Sequence, residues 1–423
     1  MDLSGFDSTD QTFIFETIED FEERLLRHHR PGFGITPSAH PKDNYSEQVW
    51  ARDFAHAAGH YFSHVRPEAV AHSLDTIFRY QRPDGMLPYR VEREYEMLKF
   101  MPGLRRFSRG AFRLIEGGIR GRSERPVYEN QDFGGGEDTI PVVLIAVREF
   151  FGTSPEGRRF ARSHFGQLAK AAEFFSGKSR PEDGLIVVRS DNADWADTIR
   201  RRGVLGGVNV WWAQALRGLG DIAEDVGAVA EAERYRTDFR RVADGIRRTF
   251  RTPEGYIRAE EGFDRLDTVA SVFGALYIFD AAEAVLTEEA LARRVARPTG
   301  LVNFDPPYSA KQVFWAHRFF FRNGEYHNYF VWPWVTLQNV YVKIKIGTEH
   351  PDDAVRARYR TDAVADFVRI AGMFRAAGGA YEIIHPDRPE APRSGRYHVP
   401  SHFMGSLAGY LGVYRKLRRL GWL

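Results

Sequence analysis

The sequence predicts an all-α protein, an (α/α)6 toroid in which six inner helices are sheathed by six outer ones. Three observations carry this. Apolar residues recur at helical spacing along most of the chain, while strand-like alternation is scarce. The helical segments alternate between two kinds of surface, and the unusual polar residues gather where every second segment begins.

Helices are expected at 10–28, 47–65, 67–81, 138–151, 155–177, 207–225, 227–250, 265–281, 287–297, 331–347, 351–376 and 399–417. The odd members of this series are charged and amphipathic, as in Glu231-Ala232-Glu233-Arg234-Tyr235-Arg236. The even members are apolar or aromatic all round, as in Val208-Asn209-Val210-Trp211-Trp212-Ala213. A helix apolar on every side is buried, and one with a single apolar stripe lies outside. Regular alternation therefore gives an inner and an outer ring.

Six polar-aromatic clusters each stand at or just before an even-numbered helix. They are Trp50-Ala51-Arg52-Asp53, Gly136-Glu137-Asp138-Thr139, Asp191 to Asp197, Asp264-Arg265-Leu266-Asp267, Tyr326-His327-Asn328, and Glu382 with Tyr397-His398. If the inner helices run parallel, all six open on one face as a single funnel. Helix capping accounts for an Asp or Asn at any one of these places. It does not account for the Trp, Arg and His that repeatedly accompany them. Residues 82–137, with Gly85, Pro88, Pro102, Gly103 and Gly117-Gly118, are too long for an ordinary connection. They are expected to form a lid or rim on an otherwise single domain spanning 1–423.

Charge and composition narrow the function. Lys plus Arg (59) nearly cancels Asp plus Glu (57), so bulk electrostatics give no reason to expect a nucleic-acid or membrane partner. The first residues are acidic and lack the basic and apolar regions of a signal peptide, so a cytoplasmic location is expected. The absence of cysteine excludes disulfides and thiolate chemistry. His56, His60 and His64 share a helical face but lack the Glu of His-Glu-x-x-His, and read as a surface stripe. Gly134-Gly135-Gly136 and Gly203 to Gly207 lack the Lys of a phosphate loop and the strand before a dinucleotide site. Neither metal nor cofactor is expected. Aromatics make up 14% of the chain, and rings interleaved with acids suit a small saccharide, whose C–H face packs on an indole or phenol.

Cleaving a glycosidic bond needs two carboxyl groups, one protonated to aid the leaving group and one ionised to act from the other face. Two acidic loci stand out. The segment Asp191-Asn192-Ala193-Asp194-Trp195-Ala196-Asp197-Thr198 holds three acids beside an indole, which desolvates a neighbouring carboxyl and raises its pKa. Glu382, in Tyr381-Glu382-Ile383-Ile384-His385-Pro386, sits among apolar neighbours. Spacing alone leaves the choice among the three aspartates open.

At these residues the chain resembles the α/α-toroid glycosidases, the group containing the glucosidase domain of glycogen-debranching enzymes, neutral/alkaline invertases, and processing-glucosidase-like and glucosylglycerate hydrolases. Trp50-Ala51-Arg52-Asp53 resembles their early Arg-Asp. Gln81-Arg82-Pro83-Asp84-Gly85-Met86-Leu87-Pro88 is similar to their Gln…Gly-x-x-Pro, and Asp138-Thr139-Ile140-Pro141 to their Asp-Thr/Ser-x-Pro. Trp195-Ala196-Asp197, followed by Gly203 and Asn209-Val210-Trp211-Trp212, resembles the segment with the general acid and points to Asp197. Tyr326-His327-Asn328 with Trp332-Pro333 resembles Tyr-His-Asn-Gly-x-x-Trp-Pro, and Glu382 resembles the general base. Tyr329 replaces the glycine after the asparagine, Gly207 stands where the group carries an acid, and Ile383-Ile384-His385 replaces Tyr-Tyr-Asp.

The resemblance implies an inverting hydrolase of an α-glucosidic or similar bond, with Asp197 and Glu382 catalytic and roughly 6.5–9.5 Å apart. It implies that Arg52, Asp53, Gln81, Asp138, Asn209, Tyr326, His327 and Asn328 contact the sugar, and that Trp50, Trp195 and Trp332 are ring platforms. Three other readings stand beside it. A toroid phosphorylase would want a basic phosphate pocket in place of Glu382, and an epimerase would pair His327 with His398. A non-catalytic toroid would bind sugar without turnover.

Overall fold

The computed structural model describes residues 8–40, 43, 45–95, 107–128, 136–191, 193–315, 318, 325–392 and 397–423. Among these, twelve helices build the body of the molecule. They are α1 (Ser8–Leu26), α2 (Ala51–Ala57, continued by a π turn to Phe62 and a last turn to Val65), α3 (Pro67–Arg79), α4 (Thr139–Thr153), α5 (Pro155–Ser176), α6 (Gly206–Asp225), α7 (Val229–Thr249), α8 (Thr268–Tyr277), α9 (Ala281–Arg294), α10 (Pro333–Glu349), α11 (Asp353–Ala377) and α12 (Met404–Arg419).

The even helices form a closed ring. Each of α2, α4, α6, α8, α10 and α12 packs on the next, and α12 packs back on α2. Their sequences explain why. In α6 the run from Gly206 to Leu216 is wholly buried, and in α8 the run from Thr268 to Ala275 is too. The odd helices sheath this ring: α5 lies on α4, α7 on α6, α9 on α8 and α10, and α11 on α10. In α7 only one stripe is buried, including Ala232, Tyr235, Val242 and Ile246. The (α/α)6 toroid expected from the alternation is therefore the fold.

Several helix starts differ from expectation, the ninth and eighth each for a local reason. The ninth helix begins at Ala281, six residues before the predicted 287, because Asp280 and Glu283 form a reciprocal capping box. The eighth spans only Thr268–Tyr277. Leu266–Asp267 is instead extended, paired with Phe304–Asp305, and Asp267 caps the helix by accepting from the Ala270 amide at 2.9 Å.

Within the 82–137 stretch, Arg90–Glu92 is the middle strand of a small sheet, flanked by Gln48–Trp50 and Arg125–Val127. That pairing explains why α2 starts at Ala51 and not at 47. It also fixes this segment beside the first inner-helix entrance. Residues 96–106 and 129–135, which include Pro102, Gly103 and Gly134-Gly135, lie outside the described residues. No helix of the described chain is long and apolar enough to cross a membrane.

Candidate active site

The starts of the inner helices meet on one face. Arg52, in the first turn of α2, closes a two-bond fork on Asp138, with Nε and Nη2 each 2.9 Å from a carboxylate oxygen. Asp138 is the buried residue preceding α4, so this fork ties two neighbouring inner helices together. The remaining nitrogen, Nη1, lies 3.7 Å from Asp197 Oδ2.

The segment carrying Asp197 is held from several sides. Glu137 accepts from the amides of Arg189 and Ser190 at 3.3 and 3.2 Å, and its own amide donates to the Ala193 carbonyl at 2.7 Å. Further along, Ile199 bridges Val313. Arg201 is fully buried between Asp194 and Asp267, 3.2 Å from each through Nε and Nη1. This choice of partners separates the three aspartates. Asp191 is exposed and Asp194 is consumed by Arg201. Asp197 is the one of the three that is partly buried, its carboxyl 29% exposed and facing Arg52 and, at 3.6 Å, His327 Nδ1. Burial pushes the Asp197 carboxyl up to about 7, with the charges of Asp138, Asp194 and Asp53 adding to the rise and Arg52 opposing it.

Glu382, within electrostatic reach of Asp197, is 2% exposed. Its backbone is fixed by a bridge between Ile384 and Val331, just before α10, and by its amide donating to the Pro400 carbonyl at 3.1 Å. Two phenols donate to its carboxylate, Tyr326 Oη at 2.6 Å and Tyr397 Oη to the other oxygen. Tyr45 Oη lies 2.8 Å from Tyr397 Oη and extends the chain. Burial pushes Glu382 up to about 8; the two phenols pull it back, and the charges of Asp53 and Asp197 push it further. Asp53, raised by burial to about 6, is thus a third carboxyl within electrostatic reach of the pair.

His327 and Trp332 form the adjoining wall. Their rings stack at 4.9 Å and 8°, Thr198 Oγ1 meets His327 Nδ1 at 3.1 Å, and Trp332 Nε1 donates to the Tyr326 carbonyl at 2.9 Å. Trp50 stands half-buried, its indole NH donating to Gln48 at 2.6 Å and its ring edge-on to Tyr89 at 5.6 Å.

Four expected contacts are corrected. Asn209 is buried and spends its amide on the backbone of Ile186 and Leu205. Gln81 donates to the Gly85 and Gln167 carbonyls, joining the turn after α3 to α5. Asn328 clamps the backbone of Tyr308 through both ends of its amide. Trp195 is 1% exposed and stacks on Phe304 at 5.8 Å, so its ring supports the segment from beneath and offers no face to a sugar. Asn209, Asn328 and Trp195 are buried, and half-buried Gln81 has its amide nitrogen engaged by two carbonyls. At Gly207 an added Cβ would lie 3.8 Å from the Trp195 indole nitrogen, which has no partner, and 3.9 Å from Asp267 Oδ2. A carboxylate there would have a ready donor, and this chain lacks it.

Sequence reasoning missed Tyr397 and Tyr45 as partners of Glu382, and Arg201 as the clamp on Asp194. Tyr397 had a signal, since it opens the last of the six clusters. Tyr45 had none, because it meets Tyr397 across 352 residues; Arg201 stands only seven residues from Asp194, but its second partner, Asp267, lies 66 residues away.

A closed ring of six inner helices inside an outer sheath defines a class: the fold is that of the α/α-toroid glycosidases. No family profile and no curated protein matches the sequence. Among solved structures, the chain is similar over 99% of its length to a protein described only as a glycosidase, covering all of that chain at a TM-score of 0.63 and 13% identity. It is similar over 93% of its length to the GH63 mannosylglycerate hydrolase of Thermus thermophilus in complex with glucose, covering 99% of that chain at 0.60 and 18%. A bacterial glucoamylase complexed with acarbose aligns with 87% of the chain at 0.55 and 14%, and the chain spans about half of it, 48%.

Proposed function

We propose that this protein is an inverting glycoside hydrolase acting on an α-glucosidic or similar bond of a small saccharide or glycoconjugate. The observation that carries the reading is the pair Asp197 and Glu382: two carboxyls raised by burial, fixed by separate elements, with Glu382 held by two phenol donors. Two such groups near neutral pH share a proton, and the displacement draws on the arrangement with Asp197 protonated and Glu382 ionised, which the higher value at Glu382 makes the minor one.

In that step Asp197 gives its proton to the glycosidic oxygen as the bond to the anomeric carbon breaks. Glu382 takes a proton from a water whose oxygen forms the new bond from the opposite face. Tyr326 and Tyr397 hold Glu382 in orientation and favour its ionised form. Arg52 and Asp138, locked to each other, and Asp53 bind sugar hydroxyls, and His327 and Trp332 wall the site. Tyr329 narrows the rim and favours a disaccharide-sized substrate.

The epimerase reading has less support. His327 faces Asp197 and Thr198, whereas His398 is 66% exposed and lies 3.6 Å from Asp43. A phosphorylase would need a cation free to take phosphate, and Arg52, beside Asp197, is held by Asp138. The test is sugar release from sucrose, trehalose, isomaltose, kojibiose, glucosylglycerate and a branched limit dextrin by wild type, Asp197→Asn and Glu382→Gln. Turnover of one substrate, lost in both variants, is expected. Binding without turnover of any substrate would leave the non-catalytic toroid standing.

A further inference from the structure

The opposite end of the toroid holds a cavity of about 640 Å³, within the range of small-molecule sites. It is lined by the middle and last turns of the inner helices, including Gly152 of α4, Arg217 of α6, Tyr277 of α8, Tyr341 of α10 and Lys416 of α12. The histidine stripe at 56, 60 and 64, expected on the surface, faces this cavity instead. Burial lowers His56 to about 3 and His60 to about 4, so both are neutral at pH 7 and act as ordinary hydrogen-bonding groups.

Two features point to an occupant. The first is at the inner end. His56 stacks on Trp334 at 4.3 Å, in the layer that also holds Trp195 beneath the upper site. There His56 Nε2, Gln338 Oε1 and Trp211 Nε1 are closed off from bulk water and have no protein partner. Gln338 is 1% exposed and one end of its amide meets His60, so the other end is left without a partner among the described residues. Buried polar groups are rarely left this way.

The second feature is the mouth. Four cations line the cavity, Arg217, Lys345, Lys416 and Arg419, against two carboxylates, Glu149 and Glu349. Glu149 is paired with Arg148 at 2.9 Å. Lys345 is occupied too, donating to the Ala275 and Leu276 carbonyls at the end of α8. Arg217, Lys416 and Arg419 make no ion pair among the described residues, so the surplus charge at the mouth is positive.

We propose that this lower cavity is a second ligand site, separate from the catalytic face, for a small polyhydroxylated anion such as a sugar phosphate or sugar acid. The anionic group sits among Arg217, Lys416 and Arg419, the ring lies against Tyr277 and Tyr341, and hydroxyls meet the unpartnered atoms of His56, Gln338 and Trp211 once those closed-off side chains turn towards the cavity. The inference does not depend on the hydrolase reading.

The test is calorimetric titration of the full chain with glucose 6-phosphate, glucuronate, inorganic phosphate and glucose. One of the two anionic sugars is expected to bind one to one, and phosphate or glucose alone at least about tenfold more weakly. Replacing both Lys416 and Arg419 by Ala should weaken that binding by about tenfold or more, since each is a charge-assisted contact. Gly152→Phe is a second, independent variant, because a Cβ there meets nothing within 4 Å and the ring is free to fill the mouth. It should abolish binding while leaving the circular dichroism spectrum unchanged. If neither anionic sugar binds, or if binding persists undiminished in both variants, the proposal is wrong.

Discussion

Glu382→Gln separates the burial of this carboxyl from its chemistry. In the folded protein Glu382 is raised from 4.5 to about 8 by burial. Between those values the folded state binds a proton that the unfolded chain releases, so this group makes stability fall as pH rises. One unit of pKa difference is about 1.4 kcal/mol, which sets a ceiling of roughly 5 kcal/mol on the cost of the ionised form. Over the middle of the window, from pH 5 to pH 7, the change is about 2 kcal/mol. Glutamine keeps the shape, accepts from one phenol and carries no charge. Urea unfolding of wild type and Glu382→Gln at pH 5, 6, 7 and 8 should therefore show the variant gaining on wild type by about 2 kcal/mol between pH 5 and pH 7. A stability difference independent of pH, or one that moves the other way, would mean that Glu382 ionises normally in the folded protein, and the burial argument would fail.

Other variants probe the rest of the site. Tyr397→Phe removes a donor that favours ionised Glu382, so kcat/KM should fall by about 10–100-fold and the alkaline limb of its pH profile, set by the higher of the two groups, should move up. The wild-type profile itself should peak in the neutral to mildly alkaline range set by about 7 for Asp197 and about 8 for Glu382; a maximum below pH 5 would contradict both. Arg52→Ala leaves buried Asp138 without its cation and should cost about 3–5 kcal/mol in urea unfolding, whereas an exposed pair would cost about 1 or less. Asn209→Ala should cost about 1–3 kcal/mol, by orphaning the Ile186 amide, and leave KM unchanged. A large rise in KM would restore Asn209 to the sugar site.

The ring was legible because its signal is local. A helix buried all round, such as α6 or α8, announces itself in its own twenty or ten residues, and six alternations leave few other closed arrangements. The candidate site was chosen by the same logic, since Arg52 and Asp138 stand at inner-helix starts and Asp197, His327 and Glu382 on segments leading to them. What each polar residue does there was less legible. Asn209, Asn328 and Gln81 carry side chains suited to a sugar hydroxyl, yet a backbone amide offers the same chemistry, and only tertiary contact decides between them. The partners of Glu382 were hidden for a related reason: the phenol chain from Tyr326 through Tyr397 to Tyr45 joins segments distant in sequence. The histidine stripe was misread because a run at i, i+4 spacing looks alike on a surface and along the wall of a cavity.

The measurement that tests the central claim most directly is the anomeric form of the sugar first released, followed by proton NMR within minutes of adding enzyme to the α-linked substrate that the release assay identifies. Asp197 as acid and Glu382 as base acting through water predict the β-anomer, appearing before mutarotation and absent with Glu382→Gln. Initial release of the α-anomer would mean retention through a covalent intermediate, and would contradict the roles assigned to the two carboxyls.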